Sequence, residues 1–147
     1  MVKLKINREP GFEDIPFPKY HSQGASGIDL PAAITESIVI EPKKSLMVST
    51  GLRMEIPMGC EGQVRPRSGL AAKHGIGIVN APGTIDSDYR GIIKVILYNY
   101  SEKPFTIERG ARIAQLVICP VVRPEIIYVD EINDTKRGDG GFGHTGL

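Results

Sequence analysis

Two stretches of the sequence gather more reactive side chains than a turn requires. In GTIDSDYRG, residues 83–91, Asp86, Asp88, Tyr89 and Arg90 stand between glycines just ahead of a strongly apolar segment. Aspartates in such a turn serve to cap backbone N–H groups. Ile85 and the ring of Tyr89 exceed what a solvated turn needs, however. A carboxylate on a hairpin rim, beside a ring able to stack, suits a general base next to a flat substrate. In RPRSGLA, residues 65–71, Arg65 and Arg67 flank Pro66 and run into Ser68. Guanidinium donors, a hydroxyl and the free N–H groups of a helix start make a compact anion site; the alternative is a capped helix with two solvated arginines. ASGIDL (25–30) holds Asp29, which by itself reads as a turn cap, and ERGARIAQL (108–116) carries Gln115 as a strand-surface amide. The tail RGDGGFGHTG (137–146) is half glycine and cannot build a core, yet it keeps Arg137, Phe142, His144 and Thr145.

The elements that must position these groups are strands. Period-two patterning predicts strands over 2–6, 37–41, 45–56, 60–65, 76–80, 91–100, 104–107, 112–119 and 125–130, separated by turn signals such as EPKKS, IPMG and NAPG. Many short strands at this spacing imply an antiparallel sandwich or barrel. SGLAAKHG is the one helical stretch, with Ser68 expected as its N-cap and Gly75 as its close. GIIKVILYNY is apolar on both faces, so it belongs in the middle of a closed fold or against a partner subunit, and the second is favoured in a domain this small.

Composition removes several classes. The 147 residues suit one domain, and a net charge of +1 gives no basic field for a nucleic-acid polymer. No apolar run approaches the roughly 20 residues of a membrane span. The opening MVKLKINREP lacks the apolar centre of a signal peptide, so a cytoplasmic setting is expected. Cys60 and Cys119, far apart and without metal-ligand spacing, are expected to be reduced, buried small hydrophobes. His21, His74 and His144 are too scattered for a zinc site, and GxxxxGK[ST], HExxH and GxSxG are absent.

In order and spacing, ASGIDL, RPRSGLA, NAPGTIDSDYRG, ERGARIAQL and RGDGGFGHTG resemble the five motifs of the trimeric deoxyuridine triphosphatases, across residues 25–146. The resemblance implies an all-β, antiparallel jelly-roll-like barrel (a β-clip) over residues 1–132, and a mobile glycine-rich arm over 133–147. It implies Mg²⁺-dependent hydrolysis of dUTP to dUMP and pyrophosphate, which keeps uracil out of DNA and supplies dUMP for thymidylate synthesis. It also implies a homotrimer with sites shared between subunits. Asp86 then matches the base that activates water against the α-phosphorus, Tyr89 the ring on the deoxyribose, and Asn80 the amide at the uracil edge. Arg67, Ser68 and Gly69 match the phosphate site, Gln115 an amide near the α-phosphate, and Asp29 the carboxylate that holds Mg²⁺ through water. In the arm, Phe142 would stack on uracil and Arg137 would pair with the γ-phosphate, with Gly143, Thr145 and neighbouring N–H groups around the remaining oxygens. His144 stands where the family usually has a small hydroxyl residue, and Ile28 where an aromatic is common.

Two other readings compete. dCTP deaminases share the fold, but their site uses a glutamate with no counterpart here. A non-catalytic binding protein would have no need of a general base such as Asp86 beside Ser68, Asp29 and the arm.

Overall fold

The alternation of apolar and polar residues is realised as short strands that close around one core. The computed structural model describes residues 2–141. Its strands are β1 (Lys5–Arg8), β2 (Gly27–Pro31), β3 (Ile38–Ile40), β4 (Ser45–Ser49), β5 (Leu52–Glu55), β6 (Cys60–Arg65), β7 (Ile76–Ile78), β8 (Gly83–Ile85), β9 (Lys94–Asn99), β10 (Phe105–Ile107) and β11 (Arg112–Pro120), with helix α1 (Ser68–His74) between β6 and β7. The ladders are antiparallel and run β2-β11-β6-β8, β4-β9-β7, β1-β5 and β10-β3. This is the all-β antiparallel class that the sequence implies, with one short helix. No described helix is long and apolar enough to cross a membrane.

Inward residues of the two larger sheets meet in a single core. Leu30, Val64, Ala114 and Leu116 come from the four-stranded sheet, and Val48, Ile76, Val95 and Leu97 from the three-stranded one. Each fully buried Val, Leu or Ile of this set contributes about 1.5–3 kcal/mol over its exposed state.

Several expected elements differ. Residues 45–56 form two strands, because Gly51 takes a left-handed φ of 64° and Thr50 turns inward. The Thr50 hydroxyl donates to Ile93 O at 2.7 Å and accepts from Leu52 N at 3.2 Å, which stabilises the break. β2 and β8 lie in stretches whose polar residues suggest only turns. Residues 125–130 form no strand; Tyr128 there is 94% exposed, and no neighbouring strand pairs with the segment. β9 occupies the middle of its sheet, with Val95, Leu97 and Asn99 buried and Ile96 and Tyr98 half-buried on the outer face. Ser68 opens α1 instead of capping it. The N-cap is Arg67, extended at φ −88° and ψ 126°, with no side-chain cap bond. Its guanidinium is held elsewhere, as described below, which fixes the residue in the extended form that follows Pro66. Gly75 does close the helix in the left-handed region, at φ 64° and ψ 29°.

The cysteines are half-buried and free. Cys60 packs against the core, whereas Cys119 is no core hydrophobe: its Sγ accepts a contact from Arg65 Nη2 at 3.8 Å on the polar outer face. Cys119 pairs with Glu61 and Cys60 with Pro120, so the two thiols sit at adjacent register positions and point to opposite faces.

Asn99 is the fully buried polar hub at the end of β9. Its Nδ2 donates to Ile40 O at 2.9 Å and to Lys103 O at 2.7 Å, while Oδ1 accepts from Ser101 N at 2.9 Å and Ser101 Oγ at 2.8 Å. Every hydrogen-bonding position of the amide is used, and the bonds tie β9 to the end of β3 and the turn before β10. Asn99→Leu keeps the volume but removes the amide partner of Ile40 O and of the part-buried Ser101 N, at about 1–3 kcal/mol each, while Lys103 O keeps its bond from Ser101 Oγ. Urea unfolding is expected to show a midpoint well below that of the parent chain, with an unchanged slope.

Candidate functional site

The polar cluster around Asp29 is built where β2, β11 and the chain leaving β6 converge. Asp29 lies opposite Gln115, and Gln115 opposite Arg65, so all three occupy one row across the sheet. Arg67 Nε donates to Asp29 Oδ1 at 3.0 Å, and Arg67 Nη1 donates to Arg112 O at 2.9 Å. Arg112 Nη1 donates to Asp29 Oδ2 at 3.0 Å, and His21 Nε2 stands 3.6 Å from the same oxygen. The Asp29 side chain is only 18% exposed, so these pairs are less weakened by solvent than surface ones. Gln115 Nε2 donates to Pro66 O at 2.8 Å, which holds the turn before Ser68 and Gly69 against β11. A Cβ on Gly27 would come within 2.7 Å of Gln115 Oε1, so glycine there leaves the amide its place.

Arg112 has no assigned role in the sequence reading, for a geometric reason. It stands three positions before Gln115, and in a regular strand an odd offset puts two side chains on opposite faces. A register shift between Arg112 and Ala114 inserts one extra residue and returns Arg112 to the Asp29 side. Ile113 and Ala114 are consequently both buried.

Asp86 and Tyr89 form a second, separate group. They are the first and last residues of a β-turn in which Tyr89 N donates to Asp86 O at 3.1 Å. The turn is not the tip of a paired hairpin: β8 pairs with β6, and β9 with β4 and β7, so it bridges two sheets. The Asp86 carboxylate is exposed and makes no ion pair or hydrogen bond among the described residues. It lines a recess of about 280 Å³ with Met47, Thr84, Tyr89 and Lys94. On its other side is a hollow of about 590 Å³ with Glu61 and Arg123. Tyr89 is 44% exposed, and its Oη donates to Ile92 O at 3.1 Å, which fixes the ring. Arg90 braces the turn from within, donating from Nη1 to Ser87 O at 2.7 Å and Tyr89 O at 3.0 Å. Asn80 is exposed in the turn before β8, and its amide lies beside Gly83.

The site residues expected from sequence thus fall into two groups. Asp29, Arg67, Ser68, Gly69 and Gln115 share one end of β6, toward which Asn80 also lies because Gly83 pairs with Val64, and Asp86 and Tyr89 belong to the other. Arg137 stands apart in the tail, where its Nε donates to Gly140 O at 2.8 Å within a local turn. Phe142, Gly143, His144 and Thr145 lie outside the described residues.

Comparison with known proteins gives these groups a context. A family model described as dUTPase matches residues 13–146. The chain is 51% identical over 146 residues, 99% of each chain, to a protein of Caldanaerobacter subterraneus subsp. tengcongensis named deoxyuridine 5'-triphosphate nucleotidohydrolase. A protein of the same name from an Anaeromyxobacter species is 57% identical over 129 residues, covering 88% of this chain and 86% of the relative. Among solved structures, the dUTPase of Staphylococcus bacteriophage 80alpha with dUpNHpp superposes with a TM-score of 0.87 at 26% identity, over 99% of both chains. With a family match over residues 13–146 and relatives of this identity, the chain belongs to the dUTPase family.

Proposed function

We propose that this chain is a dUTP diphosphatase in which Asp86 takes a proton from the water that attacks the α-phosphorus in line. The new P–O bond forms as the bond to the β-phosphate oxygen breaks, and pyrophosphate leaves with the electron pair, giving dUMP. The observation that carries the reading is the Asp86 carboxylate, exposed and uncommitted beside a ring whose hydroxyl is tied to backbone. Tyr89 packs on the deoxyribose and Asn80 reads the uracil edge. Arg67, Ser68 and Gly69 hold phosphate oxygens, and Gln115 stands near the α-phosphate.

Magnesium fits as an ion carried by the triphosphate. The described residues hold no group of three His, Cys, Asp or Glu able to bind a cation by themselves. Each Asp29 oxygen accepts one arginine bond and keeps a lone pair for a metal-bound water. When bound, the ion neutralises phosphate charge. The two free thiols support a cytoplasmic setting.

The registers support a site completed by a second copy of the chain, within a homotrimer. Gln115 is level with Arg65, and Ile85 with Gly62 two strands away, so Asp86 and Gln115 are roughly 15 Å apart by strand rise and spacing. They cannot flank one α-phosphorus from the same chain. Val122, Ile126, Ile127, Tyr128 and Ile132 are exposed beyond β11 and suit burial against such a copy. Residues 133–147 then act as an arm over a neighbour's site, with Phe142 on uracil and Arg137 on the γ-phosphate.

Pyrophosphate release from dUTP tests the activity, and ammonia release from dCTP would assign the chain to the deaminases instead. Asp86→Asn is expected to lower kcat by at least about 10²–10⁴ while dUMP binding survives. Refolding Asp86→Asn with Gln115→Ala at equal amounts is expected to restore about one site in four if sites are shared in a cyclic trimer; no recovery would mean that each site lies within one chain. Phe142→Ala is expected to weaken dUMP binding by roughly 1–3 kcal/mol, read by calorimetry.

A further inference from the structure

We infer that Gly91 is a specificity-determining residue: lacking a side chain, it seats the Tyr89 ring and thereby governs whether a sugar with a 2′-hydroxyl is admitted. The inference rests on the sugar-facing role proposed for Tyr89. A Cβ built on Gly91 would collide with Oη and Cζ of Tyr89 and lie 2.9 Å from Cε2, so the nearest atoms all belong to that one ring. Gly91 does not have a left-handed φ. Its backbone is one that any residue adopts, and glycine is needed there for room.

Which part would yield to a methyl group follows from what is held. On the N-terminal side, Arg90 is bound to Ser87 O and Tyr89 O, and its own carbonyl accepts from Arg53 Nη1 at 3.2 Å. On the C-terminal side, Ile93 is 1% exposed, its N donates to Leu52 O at 2.9 Å, and its carbonyl accepts from Thr50. The backbone is therefore pinned on both sides of Gly91. The Tyr89 ring is half-exposed and held by its Oη bond to Ile92 O, so the ring is the part that moves. Its open direction is the 280 Å³ recess that it shares with Asp86 and Thr84. Displaced there, it loses the Oη bond, intrudes on the sugar and no longer presents a fixed wall to the 2′ position.

The experiment compares kcat/KM for dUTP and UTP in the full chain, in Gly91→Ala, in Tyr89→Ala and in the double variant. Gly91→Ala is expected to reduce the dUTP-to-UTP ratio by roughly tenfold or more, chiefly through a higher KM for dUTP. In the Tyr89→Ala background the same change is expected to leave the ratio where it is, since no ring remains to displace. An unchanged ratio in Gly91→Ala, or an equal drop in both backgrounds, overturns the inference. Ring signals of ¹³C-labelled Tyr89 give a readout independent of turnover. If the parent chain does not cleave dUTP, the proposed activity fails, but a shift of these signals in Gly91→Ala still supports the seating and unchanged signals still refute it. Should Gly91→Ala not fold, a folded double variant supports the clash, and an unfolded one shows that glycine serves the backbone and overturns it.

Discussion

The bulge in β11 is the constraint on which the Asp29 cluster depends. A strand alternates its side chains strictly, so Arg112 and Gln115 could not both reach Asp29 from a regular one. The extra residue between Arg112 and Ala114 brings both to the same face, and Asp29 then bridges two guanidiniums. Charge-assisted bonds of this kind exceed neutral ones in strength, and here each carboxylate oxygen takes one. Removing the carboxylate would leave Arg67 and Arg112 facing each other without compensation. The same contacts hold Arg67 extended, and that conformation decides where α1 begins and which residues stand at its first turn. A local irregularity in one strand is thereby transmitted to the orientation of a separate element.

Much of the barrel was legible because it rests on alternation. β3, β6, β7, β10 and β11 fall where period-two patterning predicts them, within a few residues, as does the helix with its left-handed glycine. β2 and β8 were not legible. Asp29 breaks the apolar pattern of the first, and Gly83 and Thr84 give the second the composition of a turn; both strands form because a neighbouring ladder accepts their backbone groups. The segment 125–130 failed in the opposite sense, since its pattern is strand-like but no partner edge among the described residues receives it. Pattern reports which face a residue prefers and says nothing about whether an edge is available.

The candidate site was legible as residue types and much less so as geometry. Asp86, Tyr89 and Arg67 stand out in the sequence because carboxylate, ring and guanidinium are costly to place in a turn without purpose. Arg112 did not, because its neighbour Gln115 sits at the wrong parity until the bulge is known. Nor does the sequence reveal that Asp86 and the Asp29 cluster lie at opposite ends of one strand. That separation follows from the β6–β8 and β6–β11 registers together, and either pairing alone leaves it undetermined.

Glycine content illustrates why composition misleads here. A high glycine count reads as flexibility, yet the glycines around the two groups serve rigidity. Gly27 gives Gln115 Oε1 its seat, Gly77 faces the Tyr100 ring within 2.7 Å of where a Cβ would lie, and Gly91 lies against Tyr89. In each case the missing methyl lets a neighbouring side chain settle on backbone and stay there. Ordering a glycine costs more entropy than ordering any other residue, so such positions persist in a compact fold only where the surrounding bonds over-determine the backbone. The bonds of Arg90 and Ile93 on either side of Gly91 meet that condition, and the turn before it holds Tyr89 while leaving the Asp86 carboxylate uncommitted among the described residues.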